Sequence, residues 1–379
     1  MKFGTKTLHG YNMLAPDTGA SSISICQAST FHQKDINNLQ KYIYSRFGNP
    51  TREALEEAIA SLEEGKYGVA FASGVAAISA VLLMFSKGDH IVMCKDVYGG
   101  TFQLVSETLP RFGIEVTFVD ETNLEEWESA IQPNTKAFYI ETPSNPTLKI
   151  TDIQGVVEIA KRHNILTAID NTFMTPQYQK PLTLGVDIVI QSATKFLNGH
   201  SDVILGAVIV NDETLFERLH KQQVMLGGLP GIEECWLVMR GLKTMAIRME
   251  KSTNSALKIA QLLEKHPKIN KVYYPGLESH QGYEIHKKQA TSGGAVLSFD
   301  LGNAENVKKF ADALKYPIIA VSLGGVESIL SYPIKMSHAS VPEEERLKQG
   351  ITEGLVRLSV GIEDTDDLIN DIQNALNNI

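Results

Sequence analysis

Between Phe71 and Val210 short β-rich runs alternate with amphipathic helical stretches, and this alternation leaves few architectures open. Strands are expected near residues 91–94, 115–119, 137–141, 166–170, 187–191 and 207–210. Between two of them, residues 155–163 gather Val156, Val157, Ile159 and Ala160 on one helical face. Nearly all-apolar strands separated by helices predict an α/β fold with a mainly parallel sheet covered on both faces. Such sheets bind ligands beyond the carboxyl ends of their strands, so the polar residues there are the first candidates for a site.

With 379 residues the chain exceeds the size at which one core usually stops growing, so two domains are expected. Residues 1–47, with weak periodicity and many Ser, Thr and Gln, read as an extended arm. Residues 48–241 read as the large domain. Residues 242–379 open with one long helical run to His266, ended by Pro267. That run leads into a smaller α/β domain with strands near 271–274 and 294–301 and helices near 304–313 and 365–376. A formal charge of −9 disfavours nucleic acid and anionic membranes as partners. The longest apolar run, residues 75–85, is too short to span a bilayer, and the chain is expected to be cytoplasmic. The three cysteines, Cys26, Cys94 and Cys235, lie far apart and imply neither a disulfide framework nor a metal site.

Two expected strands end in functional groups. One closes on Asp170; the next leads into Ser192-Ala193-Thr194-Lys195. Singly, they read as a turn-capping carboxylate and a surface charge. Together, with hydroxyls flanking the lysine, they point to pyridoxal 5'-phosphate (PLP), which needs an amine for its aldehyde and an anion to keep its ring nitrogen protonated. Ser192 and Thr194 suit its phosphate. So does the start of a helix at Ser73-Gly74-Val75, although a simple N-cap looks the same. Tyr98, before Gly99-Gly100, could lie on the ring or be a half-buried loop residue. Arg357 inside the apolar run 355–360 requires a partner, either a substrate carboxylate or a structural salt bridge.

Beyond these residues the chain resembles the Cys/Met-metabolism family of PLP enzymes, of aspartate-aminotransferase-like fold type I. The resemblance runs nearly end to end. It rests on Tyr44-Ser45-Arg46-Phe47-Gly48-Asn49-Pro50, Ser73-Gly74-Val75-Ala76-Ala77, Val97-Tyr98-Gly99-Gly100-Thr101, Glu141-Thr142-Pro143-Ser144-Asn145-Pro146, Asp170-Asn171-Thr172-Phe173, Ser192-Ala193-Thr194-Lys195 and Arg357-Leu358-Ser359-Val360-Gly361. It implies a Schiff base on Lys195, Asp170 paired with the pyridinium and Tyr98 stacked on the ring. It gives the phosphate to Gly74, Val75, Ser192 and Thr194, with Tyr44 and Arg46 reaching the phosphate of a neighbouring subunit. Arg357, with Ser322 and Asn145, would hold the substrate carboxylate. A homotetramer of two dimers that share active sites is implied as well.

Within such a family the same residues serve elimination at Cβ and at Cγ. Val321 stands where cystathionine γ-lyases and γ-synthases typically carry Glu before Ser-Leu-Gly, and Gly100 where methionine γ-lyases place Cys. Ala28-Ser29-Thr30-Phe31-His32-Gln33, Cys235-Trp236-Leu237-Val238 and the segment from Ser331 to Ala339 are similar to bacterial cystathionine β-lyases of the γ-synthase-like type. The expected reaction is therefore β-elimination of L-cystathionine to homocysteine, pyruvate and ammonia. γ-Lyase, γ-synthase and methionine γ-lyase chemistry are the alternatives, followed by an aminotransferase and a non-catalytic PLP-binding regulator. Lys195, Asp170 and Arg357 together argue against the regulator.

Overall fold

The computed structural model describes residues 1–12, 15, 18–339 and 341–379. Uninterrupted apolar runs form the strands of a seven-stranded sheet: β1 Tyr67–Phe71, β2 His90–Cys94, β3 Glu115–Val119, β4 Thr135–Glu141, β5 Leu166–Asp170, β6 Ile188–Ser192 and β7 Gly206–Val210. Their spatial order is β1-β7-β6-β5-β4-β2-β3. β6, β5, β4, β2 and β3 pair in parallel, and β7 lies antiparallel to both β6 and β1. The strands agree with the sequence expectation to within one or two residues, and β1 begins the alternation upstream of Phe71. β2 and β7 are buried along their whole length, as strands covered on both faces must be.

A second, five-stranded sheet comprises β8 Lys271–Tyr273, β9 Val296–Asp300, β10 Ile318–Ile319, β11 Ile329–Ser331 and β12 Leu355–Ser359, in the order β10-β11-β12-β9-β8. β10 and β11 were not expected from sequence; they are only 2 and 3 residues long, too short to show alternation. Each sheet carries its own hydrophobic core. The smaller one packs Ala256, Ile259 and Leu263 against Phe299, Phe310, Leu368 and Leu376. Burying such side chains contributes about 1.5–3 kcal/mol each. Cys94 and Cys235 are buried and unpaired, as core thiols, and Cys26 is half-buried.

The long helix expected over 242–266 is Met245–Glu264, and a separate helix, Ile232–Leu242, ends just before it. Arg248 marks the break between the two. Its guanidinium is buried and donates to the Gly241 carbonyl at 2.8 Å, a group that a continuous helix would use itself, and also to the carbonyls of Phe196 and Leu197. A Cβ on Gly241 would lie 2.3 Å from the Asn198 carbonyl oxygen, so the first helix ends in contact with the segment that follows Lys195. The arm is also less bare than its composition suggests. Phe3–His9 forms a helix against Met245–Glu264, and Trp236 Nε1 donates to the Ile23 carbonyl at 3.2 Å. No helix among the described residues is long and apolar enough to cross a membrane.

Candidate active site

The parallel strands β4, β5 and β6 end side by side on Glu141, Asp170 and Ser192. Their carboxyl ends open into a cavity of about 320 Å³ between the two sheets' connecting segments. It is lined by Gly74, Val75, Tyr98, Asn145, Asp170, Ser192, Thr194, Lys195, Val321, Ser322 and Arg357, which brings together all the site residues expected from sequence except Tyr44 and Arg46.

Lys195 lies on the turn after β6, and its Nζ donates to Ser322 Oγ. Burial, reinforced by the Arg357 charge and opposed by Asp170, pulls its pKa down from 10.5 to about 8. Ser322 has φ +82, a left-handed conformation unusual for a residue with a side chain. That backbone lets one residue face two ways, with its hydroxyl on Lys195 and its carbonyl accepting from Arg357 Nη2 at 2.6 Å. Such strain costs about 1–3 kcal/mol and persists where surrounding contacts over-determine it. Gly324 shares the turn, since a Cβ there would meet the Phe196 nitrogen at 2.7 Å.

Asp170 is buried, which raises its pKa, while hydrogen bonding from Thr172 and the charge of Lys195 pull it back down. Arg357 sits within β12, 3 % exposed. It donates to Asn145 Oδ1 at 2.8 Å, to the Ser322 carbonyl and to Ser331 Oγ at 3.2 Å, none of them a carboxylate. Among the described residues its buried Nε has no hydrogen-bond partner. Among the described residues no carboxylate pairs with this arginine, so the salt-bridge reading is not what they show.

Gly74 opens the helix Gly74–Leu82, whose N-cap Ser73 accepts from Ala76 N at 3.0 Å. A Cβ on Gly74 would lie 3.0 Å from Ser192 Oγ, so the helix start and this hydroxyl form one cradle. Gly206 on β7 backs it, because a Cβ there would meet the Ser73 carbonyl oxygen at 2.2 Å and Gly74 Cα at 2.9 Å. Gly206→Ala is expected to destabilise the fold by about 1–3 kcal/mol and to weaken PLP binding, checked by thermal melting and by PLP titration of the apoprotein. Thr194 is less free than its spacing suggested, since its hydroxyl donates to the Leu205 carbonyl and accepts from Leu205 N. Tyr98 is 41 % exposed at the cavity mouth, and its ring lies over Gly100, where a Cβ would sit 2.5 Å from Tyr98 Cε1. Tyr44 and Arg46 lie elsewhere in this chain, with Arg46 stacked on Tyr44 and Phe47 and donating to the Val224 carbonyl at 3.1 Å.

Sequence reasoning missed Glu141, although it ends a strand just as Asp170 does. Its Oε2 accepts from Tyr98 N at 2.8 Å and so anchors the tyrosine. Burial and the adjacent Asp170 push its pKa well up. Phe173, Ile204 and Ser337 also line the cavity; Phe173 and Ser337 lie in stretches that carry the resemblance but had no role assigned, and Ile204 had no signal.

The family model for the Cys/Met metabolism PLP-dependent enzyme matches residues 4–377. The chain belongs to this family. It is 56% identical over 375 residues to a cystathionine beta-lyase of Bacillus subtilis, covering 99% of this chain and 96% of that protein. A cystathionine gamma-lyase of Bacillus subtilis is 51% identical, with 100% of each chain covered. The crystal structure of cystathionine gamma-lyase from Lactobacillus plantarum complexed with L-serine superposes with a TM-score of 0.97 at 46% identity, covering 100% of this chain and 99% of that one. The fold is thus PLP fold type I, and PLP is the cofactor.

The residues present fit that group. A buried carboxylate short of cationic partners, an amine with a depressed pKa, and a helix start left open by two glycines converge on one cavity. Because a lysine captures an aldehyde only as the neutral amine, PLP uptake by the apoprotein should track Lys195. Its folded pKa is depressed, so the neutral form dominates above about 8 and shrinks roughly tenfold per pH unit below. The rate of PLP capture is expected to rise from pH 6 toward pH 8 and then level off, read from the growth of the visible cofactor band.

Proposed function

We propose that this enzyme is a carbon–sulfur lyase of sulfur amino-acid metabolism that eliminates the thiol from Cβ of L-cystathionine, giving homocysteine, pyruvate and ammonia. Bound in the cavity, PLP supplies an aldehyde for the substrate's amine and a protonated ring that accepts electrons as the Cα–H bond breaks. Asp170, desolvated at the end of β5, holds the ring nitrogen's proton. Tyr98 covers the ring, and Glu141 fixes the backbone that carries it. Ser192 with the N–H groups of Gly74 and Val75 binds the phosphate, and Thr194 closes that side.

Arg357 receives the substrate α-carboxylate with the guanidinium that Asn145 and Ser322 hold in place at the cavity wall. This anchors Cα near Lys195. Lys195, once released, removes the Cα proton at Nζ; Ser322 Oγ, already in contact with that atom, guides its swing. The thiolate then leaves from Cβ, and water releases pyruvate and ammonia. Tyr44 and Arg46 are assigned to the phosphate of a neighbouring subunit in a cytoplasmic homotetramer, with residues 1–47 as the exchanging arm, 48–241 as the cofactor domain and 242–379 as the C-terminal unit.

One observation carries the choice of Cβ. Val321, 64 % exposed, forms the cavity rim and offers no carboxylate there, in keeping with the 56% identity to a cystathionine beta-lyase. The 51% identity to a cystathionine gamma-lyase favours γ-elimination as the second reading. The reaction class is tested by mixing the PLP-loaded enzyme with L-cystathionine and measuring free thiol. Thiol release that requires both enzyme and PLP is expected; its absence would remove the lyase reading.

A further inference from the structure

On the reading that Arg357 receives the substrate carboxylate, the clamp is only as fixed as the loop that carries Asn145, whose Oδ1 accepts from Arg357 Nη1 at 2.8 Å. That loop, residues 144–149, is closed on itself. Ser144 N donates to the Lys149 carbonyl at 3.0 Å, Lys149 N to Ser144 Oγ at 3.2 Å, and Leu148 N to the Ser144 carbonyl at 3.0 Å. A displacement of Lys149 is therefore passed to Asn145.

A charged tie behind the cavity locates this loop. Lys149 Nζ lies 2.8 Å from Asp96 Oδ2, which also accepts from Thr147 Oγ1 at 3.3 Å. Asp96 is 2 % exposed and stands between the end of β2 and Tyr98. One carboxylate oxygen thus joins two residues of the Asn145 loop to the strand end that leads into Tyr98. Glu121, 1 % exposed just after β3, reaches the same amine at 4.0 Å, and neither of its oxygens has a hydrogen-bond partner among the described residues. None of Asp96, Glu121, Thr147 and Lys149 lines the cavity.

Buried ion clusters are costly, and apolar residues of similar volume are often as stable. What this cluster adds is a fixed geometry between the Tyr98 strand end and the Asn145 loop. Burial works against the Lys149 charge, but Asp96 and Glu121 outweigh it and hold its pKa above the ordinary value, so the amine stays cationic.

We propose that Lys149 is a positioning residue for the carboxylate clamp: pinned to Asp96, it sets where the Asn145 loop stands and so where Arg357 presents its guanidinium. It acts through Asn145 and touches neither substrate nor cofactor. Its loss should weaken ligands that carry an α-carboxylate and spare those that carry only an amine.

The test compares L-alanine with ethylamine, each titrated against the PLP-loaded enzyme until the shift in the cofactor's visible band is half complete. In Lys149→Met the half-saturating L-alanine concentration is expected to rise about tenfold or more, as for a misplaced binding group, with ethylamine nearly unchanged. Lys149→Arg keeps the cation, and the partly exposed side chain leaves it room, so it should recover most of the loss. A lower melting temperature with both concentrations unmoved would make Lys149 merely structural and overturn the proposal, as would equal weakening of both ligands. Should Lys149→Met fail to fold, Asp96→Asn, which keeps the shape of the tie and removes its anion, takes its place with the same outcomes. Arg357→Leu separates this proposal from the reading beneath it. If its loss is not confined to L-alanine, the clamp itself is wrong. If it is confined, adding Lys149→Met should cost no further L-alanine affinity, because residues acting through one contact are not additive. A further loss as large as in the parent enzyme would remove only the role of Lys149.

Discussion

Replacing Lys195 with alanine is expected to lower kcat/KM on L-cystathionine by about 10⁴-fold, the range lost when a positioned acid–base group is removed. The size of the effect follows from how much rests on one atom. On the proposed reading Nζ is both the amine that carries PLP and the base that takes the Cα proton, and burial with the Arg357 charge beside it lowers its pKa to about 8. On that reading no neighbour replaces it, because Ser322 Oγ is a poor base and Asp170 is taken up by the ring nitrogen. Small added amines such as methylamine should restore a part of the activity in proportion to their concentration. The folded state should not suffer, since burial already disfavours the charged amine. A variant that keeps its melting temperature and loses turnover is the expected outcome, whereas loss of less than about tenfold would remove Lys195 from the chemistry.

Arg357→Leu should be the next most damaging change, with kcat/KM down by about 10²–10³-fold, most of it in KM. The substitution removes the charge proposed to receive the α-carboxylate. It also strips a donor from Asn145 Oδ1, the Ser322 carbonyl and Ser331 Oγ, all within the hydrogen bonds it now makes. With Ser322 released, the group that guides Lys195 loses its anchor, so kcat should fall as well. Arg357→Lys should recover little, because an ammonium is a single point charge and cannot span Asn145, Ser322 and a carboxylate together. Steady-state kinetics on L-cystathionine separate the two parameters; an unchanged KM would contradict the clamp.

The large sheet and most of the site could be read from the sequence for one physical reason. Strands buried on both faces are almost purely apolar, so Asp170 and Lys195 stand out where each apolar run stops. Arg357 was visible by the same contrast, as a charge inside β12. Glu141 obeyed the rule and was passed over because it opened a motif read for Asn145. What could not be read depends on contacts distant in sequence. The helix over Ile232–Leu242 was not expected, and its separation from Met245–Glu264 involves Arg248 reaching carbonyls at Phe196 and Leu197, which no local pattern announces. The binding of Thr194's hydroxyl by Leu205 is of the same kind, 11 residues apart in the chain.

The central claim is that the bond from sulfur to Cβ is the one that breaks. The measurement that tests it most directly is the identity of the 2-oxo acid formed from L-cystathionine by the purified, PLP-loaded enzyme. Pyruvate, in equal amount with homocysteine, is the expected product. 2-Oxobutyrate with cysteine in its place would contradict the account and assign the enzyme to elimination at Cγ.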